Sequence, residues 1–83
     1  MTVPIMKLYT RGRCPLCDKA KAILVELQAQ FDFSLVEVEI ETDDFLTEQY
    51  GLMIPVVELD GEELQYGQID KRIICKRLQE KLS

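Results

Sequence analysis

Cys14-Pro15-Leu16-Cys17 is the segment of this chain whose residue types and spacing suit chemistry, and the chemistry they suit is thiol-disulfide exchange. Two intervening residues let both sulfurs approach within disulfide distance in the first turn of a helix. At such a helix start the unpaired amide N–H groups and the positive end of the macrodipole favour a thiolate. Arg11 and Arg13 add positive charge beside it. Cys14 is therefore expected to be the more acidic and more exposed thiol. Cys17, one turn in, is expected to be the shielded partner that attacks a mixed disulfide on Cys14 and releases the reduced product. The chain has no histidine, which removes the commonest general base, the commonest metal ligand and any Ser-His or Cys-His pair. A zinc site within one chain lacks its second half, because Cys75 is the only further thiol. Pro15 and the flanking arginines speak for a helix start rather than a pair of core thiols. Cys75 lies beside the stripe of Ile74, Leu78 and Leu82 and reads as a small core or helix-flank residue.

The surrounding patterns supply the elements that hold this pair. Ile5 to Thr10 is a short, largely apolar run ending at Arg11-Gly12-Arg13, and it reads as a first strand. Leu16, Ala20, Ile23, Leu24, Leu27 and Phe31 recur at helical spacing behind Pro15, so a long first helix is expected with these side chains on its core face. From Phe33 to Ile40, Val36, Val38 and Ile40 alternate with Glu37, Glu39 and Glu41, the mark of an edge strand with one wet face. Thr42-Asp43-Asp44 supplies capping side chains for a short helix over Phe45 to Tyr50, and Gly51 suits its end. Val56 to Leu59 follows Pro55 as a third strand, and Asp60-Gly61 is a hairpin signal into Glu62 to Tyr66. Asp70 caps a last helix carrying Ile74, Leu78 and Leu82. The order β-α-β-α-β-β-α requires a parallel pair joined by a right-handed crossover, plus an antiparallel partner from the hairpin. The expected fold class is α/β: a four-stranded mixed sheet with helices on both faces.

A chain of 83 residues, 47% hydrophobic and 30% charged, fits one soluble globular domain over 1-83 and excludes a disordered, collagen-like or multi-domain protein. At this size roughly 60 to 65% of the unfolded surface is buried, so the core is thin and chemistry belongs near the surface. The longest apolar stretches fall short of the roughly 18 to 20 residues that span a bilayer, and Met1 to Tyr9 lacks a signal pattern, so a cytoplasmic location is expected. The net charge of −5 is unevenly spread. Residues 1–21 hold five bases against one acid, residues 22–70 hold thirteen acids and no base, and residues 71–83 hold five bases against one acid. An acidic middle of this length disfavours a nucleic-acid role.

Together these residues resemble the glutaredoxin branch of the thioredoxin superfamily over nearly the whole chain. The resemblance rests on Tyr9-Thr10, Cys14-Pro15-Leu16-Cys17, Ile54-Pro55-Val56, the Asp60-Gly61 hairpin and Gly67 to Asp70. It implies a thioredoxin-like fold, a thiol-disulfide oxidoreductase whose first cysteine attacks, and a cis peptide before Pro55 facing the sulfurs. It also implies that the backbone of Ile54 pairs with an extended thiol substrate. Typical glutathione-using members carry C-P-Y-C, T-V-P and a double glycine. Here Leu16 replaces the tyrosine, Met53-Ile54-Pro55 replaces the second motif, and Tyr66-Gly67-Gln68-Ile69-Asp70 keeps one glycine. Arg11 keeps the basic residue before the first cysteine, and Asp70 is placed to meet a glutathione amino group or simply to cap the last helix. These departures are similar to those of the short bacterial glutaredoxin-like group with C-x-L-C.

The reading is thus an electron carrier with Cys14 and Cys17 catalytic and Arg11, Arg13, Ile54, Pro55, Gly67 and Asp70 around the substrate. No metal and no tightly bound cofactor are expected, with glutathione as the candidate co-substrate. The expected partners are a disulfide-bearing protein and a reductant, either glutathione or a thioredoxin-reductase-type enzyme, with no nucleic acid or membrane, and the chain is expected to be a monomer. Two readings of other classes stand beside it: a non-catalytic peptide-binding module using the Ile54-Pro55 groove, and a metal carrier sharing Cys14 and Cys17 between two protomers. If the first and last helices share one sheet face, the basic segments lie together and the acidic segment opposite, making the molecule a dipole.

Overall fold

The computed structural model of the chain describes residues 3–82. Its elements follow in the order β1 (Ile5–Thr10), α1 (Pro15–Gln28), β2 (Ser34–Glu39), a 3-10 turn (Ile40–Thr42), α2 (Asp44–Tyr50), β3 (Val56–Leu59), β4 (Glu62–Tyr66) and α3 (Lys71–Leu82). The strands form one mixed sheet in the order β2-β1-β3-β4. β1 is parallel to β2 and antiparallel to β3, and β3 is antiparallel to β4. The expected element order is present, and β2 lies at a sheet edge as its alternation with glutamates implies.

Successive side chains of β1 point to opposite faces, and this divides the core in two. Met6 and Leu8 join Val57 and Leu59 beneath Leu24 and Leu27 of α1 and Ile74 and Leu78 of α3. Tyr9 points the other way and packs with Val56 and Ile40, bordered by Leu46 and Tyr50 of α2. The long helices therefore cover one face and the short helix the other. Asp43 caps α2 by accepting from the N–H groups of Phe45 at 2.8 Å and Leu46 at 3.4 Å.

Two side chains assigned to the core stripe of α1 sit elsewhere. The helix ends at Gln28, and the N–H groups of Gln30 and Phe31 both return to the Leu27 carbonyl, at 3.0 and 2.9 Å. Phe31 is thus outside the helix, although the turn swings it back onto the first core cluster. Leu16 is 42% exposed, because the buried stripe of Ala20, Leu24 and Leu27 is begun by Cys17, 3% exposed, and Leu16 stands one residue to its side.

Asp60 and Gly61 form the hairpin turn with φ of 49° and 88°, both left-handed, a conformation in which Asp is tolerated and Gly is favoured. Asp60 also ties the hairpin tip to β1. Its N–H donates to the Ile5 carbonyl at 2.9 Å, and its Oδ1 accepts from the Ile5 N–H at 2.7 Å. That second bond, helped by Lys81, holds the Asp60 carboxyl below the ordinary aspartate range.

The basic and acidic segments are not cleanly parted. Five acids of the middle segment are drawn onto the basic helices: Glu37 pairs with Lys21 at 2.7 Å, Glu26 with Lys71 at 3.3 Å, Asp60 with Lys81 at 3.2 Å, Asp70 with Arg72 at 3.4 Å, and Glu62 with Arg77. Glu26 is part of α1 itself, and Asp60 in the hairpin turn and Glu62 just after it reach the end of α3 through their pairs with Lys81 and Arg77. Arg11 and Arg13, at the start of α1, are in no ion pair among the described residues.

Candidate active site

Cys14 is the N-cap of α1, with extended backbone and Pro15 in the first helical position. Its Sγ accepts from the Cys17 N–H at 3.2 Å, so the sulfur takes the place usually held by a serine or aspartate oxygen. Cys14 and Cys17 are joined as a disulfide with their Cα atoms 5.1 Å apart. Cys14 is half-buried and opens on solvent, whereas Cys17 is buried against the core. The expected asymmetry of exposure between the two sulfurs is therefore present.

The loop that delivers Cys14 depends on two features that local pattern did not reveal. Arg13 is left-handed, with φ of 55°, an uncommon conformation for a long side chain, and it turns the chain from β1 into the cap. Glu41, from the 3-10 turn after β2, accepts from the Gly12 N–H through Oε1 at 3.3 Å and holds the loop from behind. Nothing in the spacing of Glu41 relates it to residue 12; the contact follows from the parallel pairing of β1 and β2, which brings Thr10 opposite Glu39.

The facing wall is the segment between α2 and β3. The Tyr50 carbonyl accepts from the N–H groups of Met53 at 2.8 Å and Ile54 at 3.1 Å, and the Ile54–Pro55 peptide is cis. The resemblance implied that the backbone of Ile54 pairs with substrate. Its N–H is already engaged by Tyr50, so only its carbonyl is left for that role. Pro55 is buried beneath the wall. Gly67, with φ of 75°, donates its N–H to the carbonyls of Met53 at 3.0 Å and Pro55 at 2.8 Å, and so braces the cis-proline segment from β4.

Between the two walls lies an open groove of about 370 Å³, lined by Arg11, Arg13, Cys14, Pro15 and Leu16 on one side and Gly51, Leu52 and Ile54 on the other. Arg11, Arg13, Cys14 and Ile54, all singled out in the sequence, meet here. Leu52 was not singled out, because a lone leucine in a loop carries no pattern. Asp70 is not part of this groove. It borders a separate hollow with Gln68, Ile69 and Lys71, and its carboxylate is engaged in capping α3. Oδ1 accepts from the Arg72 N–H at 2.9 Å and Oδ2 faces the Arg72 guanidinium at 3.4 Å; these contacts, the backbone bond foremost, hold it below the ordinary aspartate range. Cys75 sits half-buried on α3 at the border of the first core cluster. No group of three or more His, Cys, Asp and Glu side chains suited to a metal ion is present among the described residues. No helix among them is long and apolar enough to cross a membrane.

Below the groove, Tyr9 stacks on Tyr50 with ring centroids 4.5 Å apart and donates its hydroxyl to Glu58 at 3.3 Å. Burial first, and then the Glu58 charge, push its pKa up to about 12. A raised value means that the neutral phenol favours the folded state. That contribution is complete below the unfolded tyrosine value of about 10 and is lost as pH rises through about 12. Tyrosinate absorbance is accordingly expected to show a late limb, which disappears in Tyr9→Phe; persistence of that limb in the variant would assign it elsewhere.

The fold and the site have counterparts among known proteins. Residues 5–82 match the family described as Glutaredoxin-like domain (DUF836). The chain belongs to that family. A solved X-ray structure of the target protein XcR50 from X. campestris is 32% identical, covers 90% of this chain and 96% of its own, and superposes with a TM-score of 0.77. The solution structure of protein Ne2328 from Nitrosomonas europaea is 28% identical over 94% of each chain, with a TM-score of 0.81. The uncharacterized protein Rv0508 of Mycobacterium tuberculosis is 29% identical, covering 86% of this chain and 78% of its own. A mutant thioredoxin from Halobacterium salinarum, 18% identical with a TM-score of 0.72 over 95% of this chain and 74% of its own, shares the fold. The glutaredoxin-like domain thus has a thioredoxin-like fold, and its C-x-x-C pair at a helix start is compatible with oxidoreductase chemistry.

Proposed function

We propose that this glutaredoxin-like domain is a thiol-disulfide oxidoreductase that reduces disulfides through the Cys14/Cys17 dithiol. The observation that carries this reading is the unequal setting of two sulfurs close enough to bond: one open to a groove at a helix N-cap, the other buried one turn behind it. In the reduced protein the Cys14 thiolate attacks one sulfur of the substrate disulfide, forms a mixed disulfide and expels the other sulfur as a thiolate. Cys17, deprotonated, then attacks the Cys14 Sγ and releases the second thiolate. Two electrons pass from the dithiol to the substrate, and the pair is left as the disulfide seen here.

Return to the dithiol requires an external thiol reductant, which a reducing cytoplasm supplies. Glutathione would find Arg11 and Arg13 in the groove. It would find neither a free Asp70 carboxylate nor a free Ile54 N–H, so a protein dithiol of the thioredoxin-reductase type suits the site better. The test is a coupled assay in which reduction of a small aromatic disulfide is followed with either glutathione and its reductase or thioredoxin reductase supplying electrons. Turnover above the reductant alone, faster with the flavoprotein dithiol, is expected. No acceleration by either system would overturn the reading.

A further inference from the structure

Two leucines stand exposed at the mouth of the groove, where neither helps the core. Leu52, in the loop between α2 and the Ile54–Pro55 bond, is 104% exposed, and Leu16, in the first turn of α1, is 42% exposed. Both line the groove that opens on Cys14, and neither belongs to either core cluster. Arg11 and Arg13 line the same groove and are in no ion pair among the described residues. Apolar side chains held in water are relieved when a partner covers them, and unpaired cations draw anions at close range. The reactive sulfur is thus framed by two demands at once, one apolar and one anionic.

The geometry points to a protein substrate of a particular kind: an extended segment whose disulfide-bonded cysteine is accompanied by a large apolar side chain, to cover Leu16 and Leu52, and by acidic residues, to meet Arg11 and Arg13. This rests on the thiol-disulfide reading of Cys14 and Cys17 and adds the substrate class. Glutathione offers carboxylates to the arginines but no apolar side chain to the leucines. With the Ile54 N–H bonded to Tyr50, discrimination falls to the side chains of the groove rather than to that donor. The exchange itself is unchanged: Cys14 displaces the segment's partner as a thiolate, and Cys17 then frees the segment's cysteine as a thiolate.

The test measures second-order rates of the reduced protein with aromatic mixed disulfides of four thiols: a small uncharged one, glutathione, a peptide with leucine and glutamate flanking cysteine, and the same peptide with serine and lysine in their places. The leucine-glutamate peptide is expected to react roughly tenfold faster than its serine-lysine twin and than glutathione. Added salt erodes the glutamate contribution and leaves that of leucine. In Leu52→Ser the ratio of the leucine-glutamate peptide rate to the small-disulfide rate is expected to fall roughly tenfold. In Val25→Ser, an exposed position of α1 outside the groove, the ratio stays as in the wild type. Equal rates for the two peptides, or an unaltered ratio in Leu52→Ser, would overturn the substrate class while leaving the exchange reading intact. Failure of the small uncharged disulfide to react would overturn the exchange reading, and this inference with it.

Discussion

Cys17→Ser is expected to stop the reaction halfway and hold the substrate on the protein. With a symmetrical aromatic disulfide, the reduced wild type releases both aromatic thiolates, the first on attack by Cys14 and the second on attack by Cys17. Cys17→Ser releases only the first, and a covalent adduct on Cys14 accumulates that mass spectrometry reads directly. Cys14→Ser forms no adduct at the site, because Cys17 is 3% exposed and cannot meet a disulfide from solution. A Cys75→Ala background removes the remaining thiol, which sits half-buried on α3. Alkylation of Cys14 by iodoacetamide is expected to titrate below the free-thiol value of about 8.5, since its sulfur sits at the start of α1 with the Cys17 N–H directed at it. Release of both thiolates by Cys17→Ser, or wild-type reactivity in Cys14→Ser, would remove the mechanism.

The features legible in the sequence are those that local physics decides alone. Asp60-Gly61 implies its hairpin because both positions need left-handed backbone, and the glutamates of β2 imply an edge because an inner strand of this sheet would have to bury them. The C-x-x-C motif implies a helix start because Pro15 is tolerated in the first turn of a helix and not in its interior. Where tertiary placement decides, the pattern misleads. Leu16 fits the helical period of the core stripe, yet the first turn of α1 turns Cys17 inward and leaves Leu16 outside. Asp70 satisfies a cap and a ligand role equally in sequence, and the structure commits its carboxylate to the Arg72 N–H. Glu41 behind the Gly12 N–H is a contact between segments distant in the chain, and Leu52 on the groove lip is exposure with no period, and neither leaves a local mark.

Leu24→Ala is the substitution expected to cost the fold most, and through the fold the site. Leu24 is fully buried in the cluster where α1 meets β1, β3 and α3, and it lies on the helix whose first turn holds both sulfurs. Truncating a buried leucine costs about 2 to 5 kcal/mol, the range reflecting how far the cavity collapses. Against a total of roughly 4 to 12 kcal/mol at this length, that is a large share of the stability. The urea midpoint is expected to fall steeply at an unchanged slope, since the surface exposed on unfolding is nearly the same. Val25→Ala, one residue along and 50% exposed, is expected to shift the wild-type stability by no more than about 0.5 kcal/mol. The two variants together separate helix propensity from packing, because both place alanine in the same turn of α1. Below the urea transition Leu24→Ala is expected to show the same pH dependence of Cys14 alkylation as the wild type, and above it that of a free cysteine, because the helix start beneath the sulfur exists only while α1 is docked. A loss under about 1 kcal/mol in Leu24→Ala would mean that α1 is held by something other than this cluster.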